Sequence, residues 1–267
     1  MQRWIADSQL ATKLAIKVRN QCNAVISHHI EKDNDGAENG EFWFLNEHLP
    51  SGVSCVIDVG ANRGRWTEAV CQATTDEVEV HCYEPDHRAA AKLRGNTNLP
   101  DRVHLHEMAV GRREGRIQLF MNEESTELTT AVPPSSGRRY TSSMVELTTL
   151  DRELQRLSIS RVDLLKIDVE GYEEDVLRGG SSALSNGAIS CIQFEYGGNW
   201  RHAGSTLQGV VNYLERHDFQ VLLIRPDCLR KVRLDELNEY FSYSNYLAVH
   251  DRVIDKISSL VHPKPFP

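Results

Sequence analysis

The sequence predicts an α/β fold in which a mostly parallel sheet carries helices on both faces. Short apolar segments of strand length alternate with helical segments through most of the 267 residues. Such alternation is typical of parallel strands joined by right-handed helical crossovers. Several strands end in a glycine or an acidic residue. Since open α/β sheets bind ligands beyond the carboxyl ends of their strands, these residues indicate the position of a site.

Composition and charge narrow the class of protein. Hydrophobic residues make up 40% of the chain and charged residues 25%, as in an ordinary globular domain. The formal net charge of −8 argues against a general affinity for nucleic acid or anionic membranes. The six cysteines form no CxxC pair, which favours buried thiols in a reducing cytoplasm over disulfides or a zinc site. We expect neither a transmembrane span nor a secretory signal, and therefore a cytoplasmic protein.

Residues 1–40 are predicted to form an N-terminal extension. Within it, residues 8–30 indicate an amphipathic helix, and residues 31–40, EKDNDGAENG, indicate a polar linker. We expect the apolar stripe of the helix to pack on the main domain, with a homodimer contact or a lid over the site as alternatives. The stripe consists of residues spaced four apart, namely Leu10, Leu14, Val18, Cys22, Ile26 and Ile30.

Residues 41–267 are predicted to form the main domain. A short helix over EFWFLNEHL precedes the first strand, and further helices are expected at 63–74, at 87–96 with Asp86 as its N-cap, and at 205–217. The polar segment 122–143 is expected to be a mobile lid or substrate loop, in which Arg138 and Arg139 either hold an acidic group or are solvated. Strands are predicted at 53–60, 78–85, 102–110, 116–120, 144–150, 161–169, 188–196, 219–224 and 246–250.

A glycine turn after the first strand is the first candidate binding element. Gly60 permits a positive φ and a close backbone approach, and the free N–H groups that open the next helix favour a carboxylate or a phosphate. Gly60 and Gly64 enclose Asn62, where a dinucleotide fingerprint needs its middle glycine. This departure disfavours an NAD-dependent oxidoreductase.

Acidic and apolar residues at the next two strand ends complete the predicted cofactor site. Glu84 follows the second strand, about 20 residues after the turn, where a carboxylate can accept hydrogen bonds from both hydroxyls of a ribose. An exposed loop carboxylate is the alternative. Glu107 and Met108 end the third strand and could frame an adenine, although neither residue type requires it.

Together these segments resemble the FkbM family of methyltransferases over about residues 41–250, and KIDVEG is the most specific match. The resemblance implies the class I methyltransferase fold, a seven-stranded sheet with an antiparallel last strand, and S-adenosylmethionine as cofactor. It also implies O-methylation of a hydroxyl on a sugar, glycoconjugate or secondary metabolite. By position, it assigns Asp58, Gly60, Asn62, Glu84 and Asp168 to the cofactor pocket. The matching blocks are VIDVGANRGRWT, CYEPD, MAVG, TTLD, LLKIDVEGYE, FEY and SNYLAV.

The fourth long strand carries the candidate catalytic groups. Lys166, Asp168 and Glu170 alternate along it and its exit, and a lysine inside a parallel strand needs a partner. Removing a hydroxyl proton requires a base or a metal. We predict Asp168 or Glu195 as base or metal ligand, Glu170 third, with Lys166 orienting a carboxylate; a structural ion pair is the alternative. Clustered carboxylates also suit a divalent cation, but no ligand set is fixed. His202 is a second-choice base.

The predicted function is therefore S-adenosylmethionine-dependent methyl transfer to a small-molecule or saccharide acceptor. Two alternatives share the fold, namely an N-methyltransferase and a non-catalytic cofactor-binding scaffold. The scaffold would be favoured if Asp168 and Glu195 were both held in buried ion pairs without an open pocket.

Overall fold

A computed structural model describes residues 8–30, 36–49, 52–134 and 138–266. The helices are α1 (Gln9–Ile30), α2 (Gly36–Asn39), α3 (Glu41–His48), α4 (Arg65–Ala73), α5 (His87–Arg94), α6 (Leu150–Leu157), α7 (Glu173–Gly179), α8 (Ser181–Ser185), α9 (Asn199–Ala203), α10 (Leu207–Glu215) and α11 (Leu234–Leu237). The strands are β1 (Cys55–Val59), β2 (Glu79–Tyr83), β3 (Val103–His106), β4 (Ala109–Val110), β5 (Gly115–Asn122), β6 (Tyr140–Thr148), β7 (Val162–Ile167), β8 (Ile189–Tyr196), β9 (Phe219–Ile224), β10 (Leu229–Lys231) and β11 (Ser244–His250).

The main sheet confirms the predicted α/β class. Its strand order is β10-β9-β11-β8-β7-β1-β2-β3, in which β1, β2, β3, β7 and β8 pair in parallel. The last strand, β11, runs antiparallel between β8 and β9, as expected for the class I methyltransferase fold. An eighth strand, β10, extends the predicted seven by a short hairpin with β9.

A second sheet of three strands, β4-β6-β5, stands beside the main one. It corrects the prediction of a single strand over 102–110. The predicted strand is interrupted after His106, where the chain turns and Met108 N donates to His106 O at 3.0 Å. Only β3 stays in the main sheet, while β4 pairs in parallel with β6. The apolar alternation is the same on both sides of the turn, so it could not reveal the break.

The central strands are buried on both faces. Every residue of β7 is buried, and β1 sends Ile57 into one apolar core and Val56 into the other. The charged Lys166 therefore lies in a layer that excludes water, and its burial requires partners of opposite charge.

The N-terminal extension differs from the prediction at both of its parts. Helix α1 forms, but Leu10, Leu14 and Val18 are 80%, 63% and 55% exposed, so the expected packing of these residues on the main domain is wrong. The side chains of Ile26 and Ile30, and residues 31–35 of the predicted linker, lie outside the described residues. Residues 36–40 are not a free linker, because α2 forms there and Asn39 is buried.

None of the helices in the described ranges is both long enough and apolar enough to cross a membrane.

Candidate active site

A cavity of about 510 Å³ opens at the carboxyl ends of β1, β2, β7 and β8. It lies where Lys166, Asp168 and Glu195 meet the glycine turn. Most of the residues predicted for the site line it, namely Asp58, Gly60, Asn62, Glu84, Met108, Lys166, Asp168, Glu170 and Glu195. Two predicted cofactor residues, Gly64 and Glu107, are not among its described lining residues.

The glycine turn brings the β1 backbone against the end of β7. Gly60 has φ 87°, and a Cβ at this position would lie 1.8 Å from the Asp168 carbonyl oxygen. Only glycine fits so close an approach. Gly60 N and Ala61 N both donate to Tyr83 O, which ties the turn to β2. Gly64, at φ 82°, starts α4, so its part is to aim the N-terminus of that helix at the cavity.

Glu84 joins the first two loops. Its Oε2 accepts from Asn62 N at 2.8 Å and its Oε1 accepts from Asp86 N at 2.7 Å. Burial raises the pKa of Glu84 to about 7, although these backbone hydrogen bonds favour the ionised form. Each carboxylate oxygen can accept a second hydrogen bond. The carboxylate is thus held in place while it keeps capacity for a ligand hydroxyl.

The two residues predicted to frame an adenine, Glu107 and Met108, do not both line the cavity. Met108 lines the cavity, whereas Glu107 is exposed and forms an ion pair with Arg94 on α5. Because of the turn after His106, the two side chains point in different directions.

Lys166 is buried on the side of the cavity that lies across from Glu84. Its Nζ lies 2.8 Å from Asp168 Oδ2 and 3.3 Å from Glu41 Oε1. Burial alone would lower the pKa of Lys166, but Asp168, Glu41 and Asp58 raise it well above its usual value. The lysine therefore stays charged and pairs with Asp168, and its role in orienting that carboxylate for catalysis stays a prediction.

Asp58 faces Lys166 across the β1–β7 pairing. Its Oδ2 accepts from Thr67 Oγ1 at 2.7 Å. Burial raises the pKa of Asp58 to about 6, against the opposing effects of Lys166 and Thr67.

Three carboxylates converge beside this lysine. Asp168, Glu170 and Glu195 each offer an oxygen, and these oxygens all lie within 4.8 Å of one another. Burial, followed by the neighbouring carboxylates, raises the pKa of both Glu170 and Glu195. Like charges so close in an enclosed site disfavour full ionisation. The group is therefore suited to hold a proton or to attract a cation.

Glu173, which the sequence analysis did not identify, holds the loop that carries Asp168 and Glu170. Its carboxylate accepts hydrogen bonds from Val169 N and Gly171 N, both at 3.0 Å. Burial raises its pKa to about 7. Glu170, whose φ is 54°, is further held by Asn199 Nδ2 at 2.7 Å. A glutamate that opens a helix two residues after a glycine was the available signal.

Two further lining residues come from distant parts of the chain. Glu41 on α3 accepts from Gln193 Nε2 at 2.8 Å besides its ion pair with Lys166. Tyr243, just before β11, accepts from Asn39 Nδ2 at 2.9 Å and from Asn245 Nδ2 at 3.0 Å. No local pattern in the sequence marks either residue.

Residues 126–131 of the polar segment cross the mouth of the cavity, and we call them the strap. Thr126 Oγ1 donates to Asn62 Oδ1 and Thr130 Oγ1 donates to the Glu170 carbonyl oxygen, both at 2.8 Å. The strap is therefore hydrogen-bonded to both sides of the cavity, and its movement as a lid or substrate loop stays a prediction. Arg138 and Arg139 are exposed, and His202 is exposed and not among the described lining residues.

Comparisons with known proteins identify the family. A distant likeness in shape links the chain to an O-methyltransferase from Bacillus cereus in complex with SAH, with 13% identity, TM-score 0.42, and coverage of 93% of this chain and 96% of that one. The Precorrin-6y C5,15-methyltransferase from Geobacter metallireducens GS-15 shows 12% identity, TM-score 0.43, and coverage of 78% and 86%. Neither likeness is close enough to inform function.

A curated relative is nearer in sequence. The 2-O-methyltransferase NoeI of Sinorhizobium fredii (strain NBRC 101917 / NGR234) is 29% identical over 143 residues, which are 49% of this chain. The match spans 58% of that relative's length. The methyltransferase FkbM domain matches residues 58–221, more than half of the chain, and this range contains the glycine turn, Glu84 and the three carboxylates. The chain therefore belongs to the FkbM methyltransferase family.

Proposed function

We propose that this protein transfers a methyl group from S-adenosylmethionine to a hydroxyl group of a sugar, glycoconjugate or secondary metabolite. Family membership and the likeness to a 2-O-methyltransferase support the reaction class. The cavity is the observation that carries the proposal. On one side of the glycine turn it contains Glu84, whose carboxylate can accept hydrogen bonds from ribose hydroxyls, and on the other side the carboxylates of Asp168, Glu170 and Glu195.

The residues present fit the proposed cofactor. Glu84 would accept hydrogen bonds from the ribose hydroxyls, Met108 would pack on the adenine, and the N-terminus of α4 would receive the amino-acid carboxylate. Gly60 is needed to form the turn beside this position, because a Cβ there would collide with the Asp168 carbonyl oxygen at 1.8 Å. When bound, S-adenosylmethionine supplies a methyl group already activated by the positive sulfonium. The carboxylates around Lys166 complement that charge.

The carboxylates of Asp168, Glu170 and Glu195 would orient the acceptor hydroxyl and take up its proton. Lys166 keeps the Asp168 carboxylate fixed at 2.8 Å, so Asp168 can accept a hydrogen bond from the acceptor hydroxyl and orient it. Glu195 and Glu170, whose pKa values are raised, are suited to take up the proton and pass it towards solvent. A divalent cation bound by the same three carboxylates would serve instead by lowering the pKa of the hydroxyl.

The alternatives make different demands on this site. A non-catalytic scaffold would keep Asp168 and Glu195 in closed ion pairs, but the Asp168 side chain is 31% exposed and the cavity is open. An N-methyltransferase would bind a protonated amine well in this acidic cavity and would need to remove its proton. The hydroxyl proposal is favoured by the relative, which is a 2-O-methyltransferase.

A transfer assay tests the proposal. Purified protein is incubated with S-adenosylmethionine labelled in its methyl group and with paired acceptors, a methyl hexoside and the corresponding amino sugar, with and without EDTA. We expect label in the neutral sugar, in an ether that resists hydrolysis. Calorimetry should show uptake of S-adenosylmethionine and none of NAD. Absence of cofactor uptake would refute the proposal, and label found by mass spectrometry on the nitrogen of the amino sugar, with none on oxygen, would replace it with N-methylation.

A further inference from the structure

Helix α1 presents an uncovered apolar face. Four of its five large exposed apolar side chains in the described residues, Leu10, Leu14, Val18 and Val25, fall within an arc of about 80° at 3.6 residues per turn, and the fifth, Ile16, lies on the opposite side. Elsewhere in the described part of the chain, Met144 is the exposed large apolar side chain, so the domain surface offers no matching patch. A stripe of this kind is stable in water only at a cost, and it marks an interaction surface.

The charge of this helix is opposite to that of the rest of the protein. Residues 8–30 contain Lys13, Lys17 and Arg19 and no aspartate or glutamate. The segment therefore carries a formal charge of +3, and the remainder of the chain carries −11, since the whole chain is at −8. An even distribution of charge would have placed acidic residues here as well. The surface that the helix fits must be both apolar and negative.

The positions of the cations sharpen this requirement. Lys13 and Lys17 flank one edge of the apolar arc, whereas Arg19 lies about 140° from the centre of the arc, on the opposite side of the helix. Long basic side chains at such an edge can extend to the polar headgroups while the apolar face is buried among the lipid chains. This arrangement is typical of a helix that lies in the plane of a bilayer among anionic headgroups.

A second copy of the chain is a poorer partner. Two α1 helices packed through their apolar faces would bring Lys13 and Lys17 of both copies to the interface with no acid on either helix to neutralise them. The acidic surface of the domain would satisfy the charges but not the apolar face.

We propose that α1 is a membrane-surface helix, which docks the protein on anionic lipid through Leu10, Leu14, Val18 and Val25 with Lys13 and Lys17 on the headgroups. This proposal is independent of the methyl-transfer reaction. It assigns a lipid partner to a segment outside the family match.

Vesicle co-sedimentation of the full chain tests it. The protein is mixed with vesicles of phosphatidylcholine alone or of phosphatidylcholine with phosphatidylserine. We expect binding to the anionic vesicles, weaker binding to the neutral ones, and loss of binding in high salt. Replacing Lys13 and Lys17 with glutamine should weaken the partition roughly fivefold per charge.

A matched pair of variants separates lipid docking from nonspecific charge effects. Leu14→Glu places a carboxylate in the apolar arc, whereas Ile16→Glu makes a similar change on the opposite side of the same helix, where Ile16 is 43% exposed. Leu14→Glu should abolish vesicle binding and Ile16→Glu should retain most of it. Equal loss in both variants, or no binding of the parent to anionic vesicles, would overturn the proposal. A dimer by sedimentation velocity that Leu14→Glu dissociates, without vesicle binding, would assign the face to a second copy.

Discussion

The two walls of the cavity are held together in different ways. On the first, which we call the cofactor wall, backbone N–H groups fix Gly60, Ala61 and Glu84. On the second, the acid wall, Lys166 and Asp168 are fixed by side-chain charge. The hydrogen bonds of Gly60 and Ala61 to Tyr83 O persist over a wide pH range, whereas Glu84, with a pKa of about 7, and the carboxylates of the acid wall change with protonation. We therefore predict that the cofactor wall governs affinity for S-adenosylmethionine and that the acid wall governs the chemistry.

The largest expected effect is on turnover, from Asp168→Asn on the acid wall. Losing the fixed carboxylate should lower kcat on the order of 10²–10⁴-fold, the usual contribution of acid–base catalysis. The Kd for S-adenosylmethionine should change far less, because the cofactor wall is intact. Steady-state kinetics and calorimetry on the same preparation check this, with the exposed Asp101→Asn as control. An unaltered rate would remove Asp168 from the catalytic group.

Lys166→Met should produce the next largest effect, on stability. Without the ammonium, Glu41, Asp58 and Asp168 lose their shared partner in a buried layer. We expect the free energy of unfolding to fall by about 3–5 kcal/mol, as when one partner of a buried ion pair is removed. Denaturant unfolding measures the loss, and Lys92→Met on the exposed face of α5 is the matched control. Equal stability of both variants would show that Lys166 does not hold the acid wall.

Glu84→Ala addresses the cofactor wall. Removing this acceptor should weaken S-adenosylmethionine binding by about 1–3 kcal/mol, while kcat at saturating cofactor changes little. Glu107→Ala is the control from the next strand end, since the structure pairs Glu107 with Arg94 away from the cavity. A comparable loss of affinity in both variants would contradict the division between the walls and restore Glu107 to the site.

The smallest expected effect is a pH-dependent preference for the charged cofactor over its product. S-adenosylhomocysteine lacks the sulfonium charge. As pH rises through the pKa of Asp58, about 6, and of Glu173, about 7, the cavity becomes more negative. The ratio of the two affinities should therefore move towards S-adenosylmethionine, by at most about tenfold. Calorimetry below and above this window measures the ratio, and a constant ratio would place the sulfonium away from the acid wall.

Much of the fold follows from local patterns. The run FQVLLI forms β9 over Phe219–Ile224, as predicted, and the Asp86 carboxylate caps α5 by accepting from Arg88 N at 2.9 Å. The glycine turn was also predictable, because a strand, a glycine and a helix follow one another in the chain. The break between β3 and β4 was not, since it depends on which sheet each half joins.

The sequence by itself determined the α/β class, the glycine turn and the acids at the strand ends, because periodicity, capping and turn formation depend on neighbouring residues. The tertiary structure decided which of these groups meet. It brought Glu41 to Gln193 across 152 residues of sequence, sent Glu107 outwards, and fastened the strap over Asn62 and Glu170. It also left the apolar face of α1 uncovered. Such contacts are set by the packing of whole elements, and this information is spread over the chain rather than written in any one segment.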